Sequence, residues 1–234
     1  MKFYCVLLLA CLLSTGCALQ SGELGEPLPL NVNTKNLPPL AVEFVTTISS
    51  DTTVNRARLV RSASAVEWFY LANNTGERWT KTTNDLWFYS KIFHADRQVI
   101  EYSPIDLNLL GIHQQWQAFA INPDILRVLT PIKYASDFHG WQSVLYTGEV
   151  NGVFYEVLWL PQISLAARVT TILGKQKTTT EVARLYVNEN APFSLSATKR
   201  YRTIEYTDLG DMELDPFVLK IQHEIFDHHG HSHF

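Results

Sequence analysis

Two strand-like segments joined by Asn151-Gly152 constrain the fold of this chain more than any other feature. Trp141–Val150 and Val153–Leu160 are rich in β-branched and aromatic residues, which favour strands. Asn-Gly supplies the positive φ angles of a two-residue type I′ turn, so a β-hairpin is predicted here. The second segment is apolar at odd and even positions alike, apart from Glu156, so we expect both faces of its sheet to be covered.

Six further strands are predicted before this hairpin, because β-branched and aromatic residues dominate short segments separated by turn residues. They are Ala41–Ser49, Ala57–Ser62, Ala65–Ala72, Glu77–Thr82, Leu86–His94 and Arg97–Ser103. A later strand is expected over Lys199–Thr207.

Helices are predicted where a polar capping residue precedes proline, because proline suits the first helical position. Ser103-Pro104 and Asn122-Pro123 indicate a short helical insert at Pro104–Thr130, and Asp215-Pro216 begins a final helix, Pro216–Phe226. The capping-box spacing of Thr178 and Glu181 predicts another helix over Thr179–Asn188. Together the elements predict an α+β fold: a long, curved, antiparallel β-meander, half-barrel-like, with about three short helices on one side.

The first 17 residues predict export. Lys2 precedes 11 consecutive apolar residues, fewer than the roughly 20 that a membrane-spanning helix needs but typical of a signal peptide. The ending Leu-Ser-Thr-Gly-Cys resembles a bacterial lipoprotein signal. That resemblance implies cleavage after residue 16, lipidation of Cys17, and, because Ala18 follows, anchoring to the outer membrane facing the periplasm. Ordinary cleavage that releases a secreted protein remains the alternative.

The cysteines exclude a disulfide framework for the folded domain. Cys5, Cys11 and Cys17 all lie in or at the end of the leader. Residues 17–40 then form a Pro- and Gly-rich tether, or alternatively an arm packed on the domain. We expect residues 41–226 to form a single domain held together by its own core.

A resemblance to the LolA/LolB half-barrel lipoprotein carriers follows from this organisation and from strands such as Trp87-Phe88-Tyr89, Val99–Tyr102 and Tyr201–Tyr206. It implies a cell-envelope lipoprotein that binds or carries a lipid or acyl chain, or that acts in envelope assembly with a protein partner. Aromatic side chains make rigid apolar walls, and the candidate ligand contacts are Trp68, Trp87, Tyr89, Trp141, Tyr155 and Trp159. The alternative is that these side chains only fill the core of a structural lipoprotein.

The C-terminal residues 227–234 form a His-rich tail. Imidazole nitrogens bind Zn and Ni, and a carboxylate can add an oxygen ligand, so an envelope metal-binding protein is an alternative function. The candidate ligands are Asp227, His228, His229, His231 and His233. A solvated, flexible tail without a physiological metal is the simpler interpretation, and no other cofactor is predicted.

Two function classes are not expected. A net charge of −4 provides no basic surface for nucleic acid. No Gly-x-Ser-x-Gly, His-Glu-x-x-His, P-loop or dinucleotide-binding motif occurs, so we do not expect an enzyme.

If Cys17 is acylated, radiolabelled palmitate will appear on the protein, and Cys17→Ser will abolish the label and move the protein to the soluble fraction. Cys11→Ser is the matched control and should keep both the label and the membrane fractionation. Unlabelled wild-type protein would contradict the lipoprotein prediction.

Overall fold

The computed structural model describes residues 37–112, 118–187 and 191–226, and only the backbone of residues 133–136 and 223–226. These residues form an open, curved, mostly antiparallel sheet of twelve strands with a few short helices, which confirms the predicted α+β, half-barrel-like class. The strands are β1 Leu40–Ile48, β2 Val54–Arg61, β3 Ala65–Tyr70, β4 Thr75–Lys81, β5 Trp87–Phe93, β6 Gln98–Tyr102, β7 Thr130–Phe138, β8 Trp141–Val150, β9 Val153–Leu160, β10 Leu165–Leu173, β11 Gln176–Val187 and β12 Arg202–Glu205. Their order across the sheet is β12-β6-β5-β4-β3-β2-β1-β11-β10-β9-β8-β7, and only the β12–β6 pair is parallel.

The helices begin where the sequence predicts, because side chains satisfy their first backbone N–H groups. Ser103, Asn122 and Asp215 accept hydrogen bonds from the backbones of Asp106, Asp124 and Phe217, respectively. The helices are α1 Pro104–Leu109, α2 Pro123–Val128, a 3₁₀ helix Tyr206–Asp211 and α3 Pro216–Phe226. Within residues 37–112, 118–187 and 191–226, none is long and apolar enough to cross a bilayer.

The predicted hairpin is present with the predicted bounds, and its turn residues Asn151 and Gly152 have φ angles of 52° and 78°. The helix predicted over Thr179–Asn188 is wrong: the described part of that segment belongs to strand β11. Its run of threonines favours an extended backbone, and β11 pairs with β1 on one side and β10 on the other. The capping-box spacing was therefore overridden by sheet pairing. Strands β7 and β10 were not predicted.

The helices and two apolar clusters lie on one face of the sheet, the inner face. The first cluster joins the inner face of β1–β3 and β8–β11 to residues 118–129, including Phe119, Ile121 and Leu126. The second joins β4–β6 and β12 to α1, the 3₁₀ helix and α3. The ring of Phe217 in α3 meets that of Phe93 edge-on, with centroids 5.1 Å apart. The described helices thus fill much of the concave side.

Arg61, at the end of β2, stabilises the curvature of the sheet. Its side chain is 1% exposed, and its guanidinium donates to the carbonyl oxygens of Pro38, Ala118, Ile163 and Ser164 at 2.5–3.1 Å. Ile163 and Ser164 form the β9–β10 turn, although β1, β11 and β10 separate β2 from β9 in the sheet. Bonds across this gap require the sheet to bend towards itself. Burial lowers the pKa of Arg61 to about 10, so the side chain remains a cation at neutral pH.

The outer face of the sheet has a corresponding attachment at Glu67, whose side chain is 2% exposed. Its carboxylate pairs with Arg78 and accepts hydrogen bonds from the backbone N–H and the hydroxyl of Ser196. Arg78 in turn donates to the carbonyl of Ser196 and the hydroxyl of Thr198. The segment that leads into β12 is therefore fastened to the back of β3 and β4.

Replacing Arg61 with alanine should reduce the free energy of unfolding by at least about 3 kcal/mol, because it leaves several buried carbonyl groups without donors. Arg61→Lys should lose less, since it keeps the charge but not the planar fork. Arg58→Ala is the control: Arg58 forms a partly exposed pair with Glu43, and its loss should cost about 1 kcal/mol or less. Urea denaturation measures all three, and equal losses for Arg61→Ala and Arg58→Ala would contradict the assigned role.

Candidate functional site

The six aromatic residues predicted to contact a ligand are divided between the two apolar clusters. Trp68, Tyr155 and Trp159 are buried in the first cluster, and Trp141 packs against it. Trp87 and Tyr89 are half-buried against the second. The structure therefore does not bring all six together in one wall.

Residues 118–129 cover the first group. Trp159 is 1% exposed and packs near Phe119, with ring centroids 6.4 Å apart, and Phe119 accepts a backbone hydrogen bond from Ala166 of β10. A ligand would reach Trp159 or Tyr155 only if this segment left the inner face. Trp87, Tyr89 and the neighbouring residues of β3 and β4 are the more accessible part of the prediction.

We call the place where the two clusters meet the junction and define it as Trp68 and Tyr70 of β3, Glu77 and Trp79 of β4, and Tyr89 and Lys91 of β5. Strand alternation puts all six on the inner face, since Trp68 is paired with Glu77, Glu77 with Lys91 and Trp79 with Tyr89.

Aromatic rings continue from the junction in both directions. On one side the rings of Phe44 and Trp68 are stacked 5.2 Å apart, and Trp68 stacks on Tyr70 at 6.4 Å. On the other, Trp79, Tyr89, Tyr102 and Tyr206 follow one another with centroid distances of 5.0, 5.2 and 4.7 Å. The result is an apolar strip that crosses the inner face.

A carboxylate and an ammonium group interrupt this strip at Glu77 and Lys91. Glu77 is half-buried, whereas Lys91 is 7% exposed and its Nζ lies 5.6 Å from the centroid of the Phe93 ring. The Tyr70 hydroxyl donates to Glu77 at 3.5 Å. Burial raises the pKa of Glu77, and the positive charge of Lys91 and the Tyr70 hydrogen bond offset only part of that rise. Burial likewise raises the pKa of the Tyr89 hydroxyl, with the Glu77 charge adding to it.

Sequence reasoning missed Glu77 and Lys91 because it selected aromatic residues by type and position along single strands. The signal was present in the strand period. Glu77 shares its parity with Trp79, and Lys91 shares its parity with Tyr89, so each charge had to lie on the aromatic face of its strand.

The outer face carries a separate groove of about 340 Å³ beneath the segment that leads into β12. Its lining is mostly polar and contains none of the six predicted residues: Arg78, Thr80, Phe88, Ser90, Ile92, Val99, Glu101, Thr198 and Thr203. Within this lining, Arg78 is already engaged by Glu67, by the carbonyl of Ser196 and by the hydroxyl of Thr198.

Several predicted sites lie outside the described residues. These are the lipidation site Cys17 and the tail ligands Asp227, His228, His229, His231 and His233, which therefore stay predictions. Among residues 37–112, 118–187 and 191–226, no group of three or more His, Cys, Asp or Glu side chains is arranged to hold a metal ion.

Comparison with known proteins identifies no family. No family model matches the chain, and no curated protein matches it. Among solved structures, PNGF-II has a TM-score of 0.46 at 10% identity over 76% of this chain, which spans only 33% of the PNGF-II chain. The MucA/MucB complex of Pseudomonas aeruginosa gives 0.43 at 11% identity, with 71% of this chain and 58% of the other covered. An outer membrane lipoprotein-sorting protein domain from Vibrio parahaemolyticus gives 0.31 at 6%, covering 67% and 88%. At these TM-scores none of the similarities assigns an activity.

The raised pKa of Glu77 predicts a pH-dependent stability. A carboxyl whose pKa is higher in the folded than in the unfolded state stabilises the fold below the unfolded pKa, about 4.3, and loses that contribution as the pH rises through the folded pKa. Glu77→Gln cannot ionise, so its free energy of unfolding relative to wild type should increase between pH 4 and pH 7. Urea denaturation at both pH values measures this. Glu149→Gln, at an exposed position on β8, should show no such increase, and a matching increase there would contradict the assignment to Glu77.

Proposed function

We propose that this protein is a membrane-anchored cell-envelope protein that binds an apolar ligand, such as the acyl chain of a lipid, on its inner face beside the junction. The observation that carries the proposal is the exposure of Tyr70, Trp87 and Tyr89. These side chains lie on the concave side of a curved sheet, among buried aromatic neighbours, yet each remains half-buried rather than fully covered.

The chemistry of this surface suits an acyl chain. Aromatic rings offer broad, rigid apolar contacts, and binding sites for small apolar molecules are concave and aromatic with a few polar groups. The half-buried rings of Trp87, Tyr89 and Tyr206 provide the contacts, backed by the buried rings of Trp79 and Tyr102. Glu77 and Lys91 provide the polar groups. Lipidation at Cys17 would hold this surface close to a bilayer, which is both the source and the destination of such ligands.

No catalytic step is part of this proposal. The aromatic side chains of the described inner face provide apolar contacts for binding. The partly buried charged groups of Glu77 and Lys91 are suited to orienting a ligand. An envelope-assembly role, in which the ligand is the lipid of another protein, uses the same surface and the same contacts.

The proposal is tested with purified protein and a fluorescent acyl probe, together with mass spectrometry of lipids extracted from the purified protein. Trp87→Ala and Tyr89→Ala should each weaken probe binding about tenfold, since losing a ring contact costs roughly 1–1.5 kcal/mol. Phe88→Ala is the matched control, because Phe88 is a half-buried aromatic residue of the same strand on the outer face. Protein that carries no lipid and binds no probe would contradict the proposal, as would equal weakening by all three substitutions.

A further inference from the structure

The indole of Trp79 contains a buried donor that nothing in the described structure satisfies. The side chain is 2% exposed, and its Nε1 has no hydrogen-bond partner within residues 37–112, 118–187 and 191–226. A buried donor without a partner has lost its hydrogen bond to water and gained none in the fold, which destabilises the folded state. This contrasts with Arg61 and Glu67, whose buried polar groups have several partners each. Such an exception needs an explanation, and a missing ligand is one.

The second unpartnered buried atom cannot supply the missing partner. It is the Oε1 of Gln98, an acceptor that lies at the other end of the β5–β6 pair. Trp79 is paired across the strands with Tyr89, which is paired with Tyr102, whereas Gln98 is paired with Phe93. Four residues along β6 separate Gln98 from Tyr102, a distance of roughly 13 Å.

The surroundings of the Trp79 indole define the group that could accept its hydrogen bond. Its ring centroid lies 5.0 Å from that of Tyr89, and Glu77 lies two residues earlier on the same face of β4. The side chains of the junction are rich in donors: two indoles, two phenols and an ammonium group lie on the same face as one carboxylate. A ligand atom that completes this site is therefore an acceptor.

The charges of the junction indicate that this acceptor is uncharged. Glu77 and Lys91 are opposite each other across β4 and β5, so their charges offset one another. A carboxylate or phosphate would place another negative charge beside Glu77 in a site of low dielectric, where repulsion is strong. An ester or amide carbonyl accepts a hydrogen bond without that cost.

We infer that the junction binds the carbonyl group of an uncharged acylated ligand, an ester or amide, through the Nε1–H of Trp79, with the acyl chain lying along the aromatic strip. Because Trp79 is buried, the half-buried ring of Tyr89 beside it has to move aside for the carbonyl to reach the indole. This inference rests on the proposed function and deepens it, because it names the polar end of the ligand and the residue that recognises it. The apolar strip alone would bind any chain of suitable length, whereas the indole donor selects chains that carry an acceptor.

The test records the ¹H–¹⁵N spectrum of the indole groups in the full-length mature protein, with the Trp79 signal assigned by its loss in Trp79→Phe. Three probes share an unsaturated C18 chain: monoolein, oleate and 1-octadecene. Monoolein should move the Trp79 indole proton downfield and protect it from exchange, whereas 1-octadecene should do neither. Trp79→Phe should bind monoolein about tenfold more weakly and 1-octadecene equally well, since only the hydrogen bond distinguishes the two ligands.

Glu77→Gln separates the charge argument from the hydrogen bond. Oleate should bind wild type more weakly than monoolein does, and Glu77→Gln should strengthen oleate binding while changing monoolein binding little. The Trp159 indole is the internal control in every spectrum, because Trp159 is buried in the first cluster against Phe119 and is not part of the junction.

The outcomes distinguish this inference from the function on which it rests. Equal binding of all three probes by wild type and Trp79→Phe would overturn the inference and leave apolar binding intact. Absence of binding by every probe would overturn both. A downfield shift of Trp79 with monoolein alone, together with its loss of selectivity in Trp79→Phe, supports the inference.

Discussion

The curl of the sheet depends on one buried cation. An open sheet of twelve strands has no closing pair of edges, so its curvature has to be held by contacts across the concave side. Arg61 provides them: among the residues that the structure describes, its guanidinium donates to main-chain carbonyls of three distant segments and pairs with no carboxylate. The planar fork of arginine reaches several acceptors at once, which offsets the desolvation of the charge. The position of residues 118–129, and hence the extent of the filled inner face, follows from this contact.

Glu67 has the complementary role on the outer face, where a buried anion fastens the segment that leads into β12. The two residues tie chain segments about 100 residues or more apart in sequence. No disulfide can provide such ties in residues 18–234, because every cysteine of this chain lies within its first 17 residues. Buried charges bonded to the main chain therefore take the place of covalent links, and both open edges of the sheet can remain unjoined.

The sequence predicted the parts of the fold that are determined locally. Asn151-Gly152 specifies its own turn, and Asp215 caps the helix that begins with the next residue, so both predictions were confirmed. The helix predicted over Thr179–Asn188 was wrong because tertiary contacts decide the conformation of this segment. It lies in β11, which pairs with β1 on one side and β10 on the other. Arg61 could not be identified as the central contact for the same reason: its acceptors are backbone atoms, which have no sequence signature.

The candidate site shows the same division between local and tertiary information. Aromatic content identified candidate residues but not which of them would be covered. Trp159 is buried in the first cluster against Phe119, whereas Trp87 is half-buried against the second. Glu77 and Lys91 indicate more about the role of this face than the aromatic rings do. A face that served only to pack helices would gain stability from apolar side chains at positions 77 and 91, since taking charged side chains out of water costs free energy. Glu77 and Lys91 are placed where the two apolar clusters meet, beside the indole of Trp79, whose Nε1 has no partner in the described part of the chain. That arrangement is costly for a core and suited to a surface that meets the polar end of an otherwise apolar molecule.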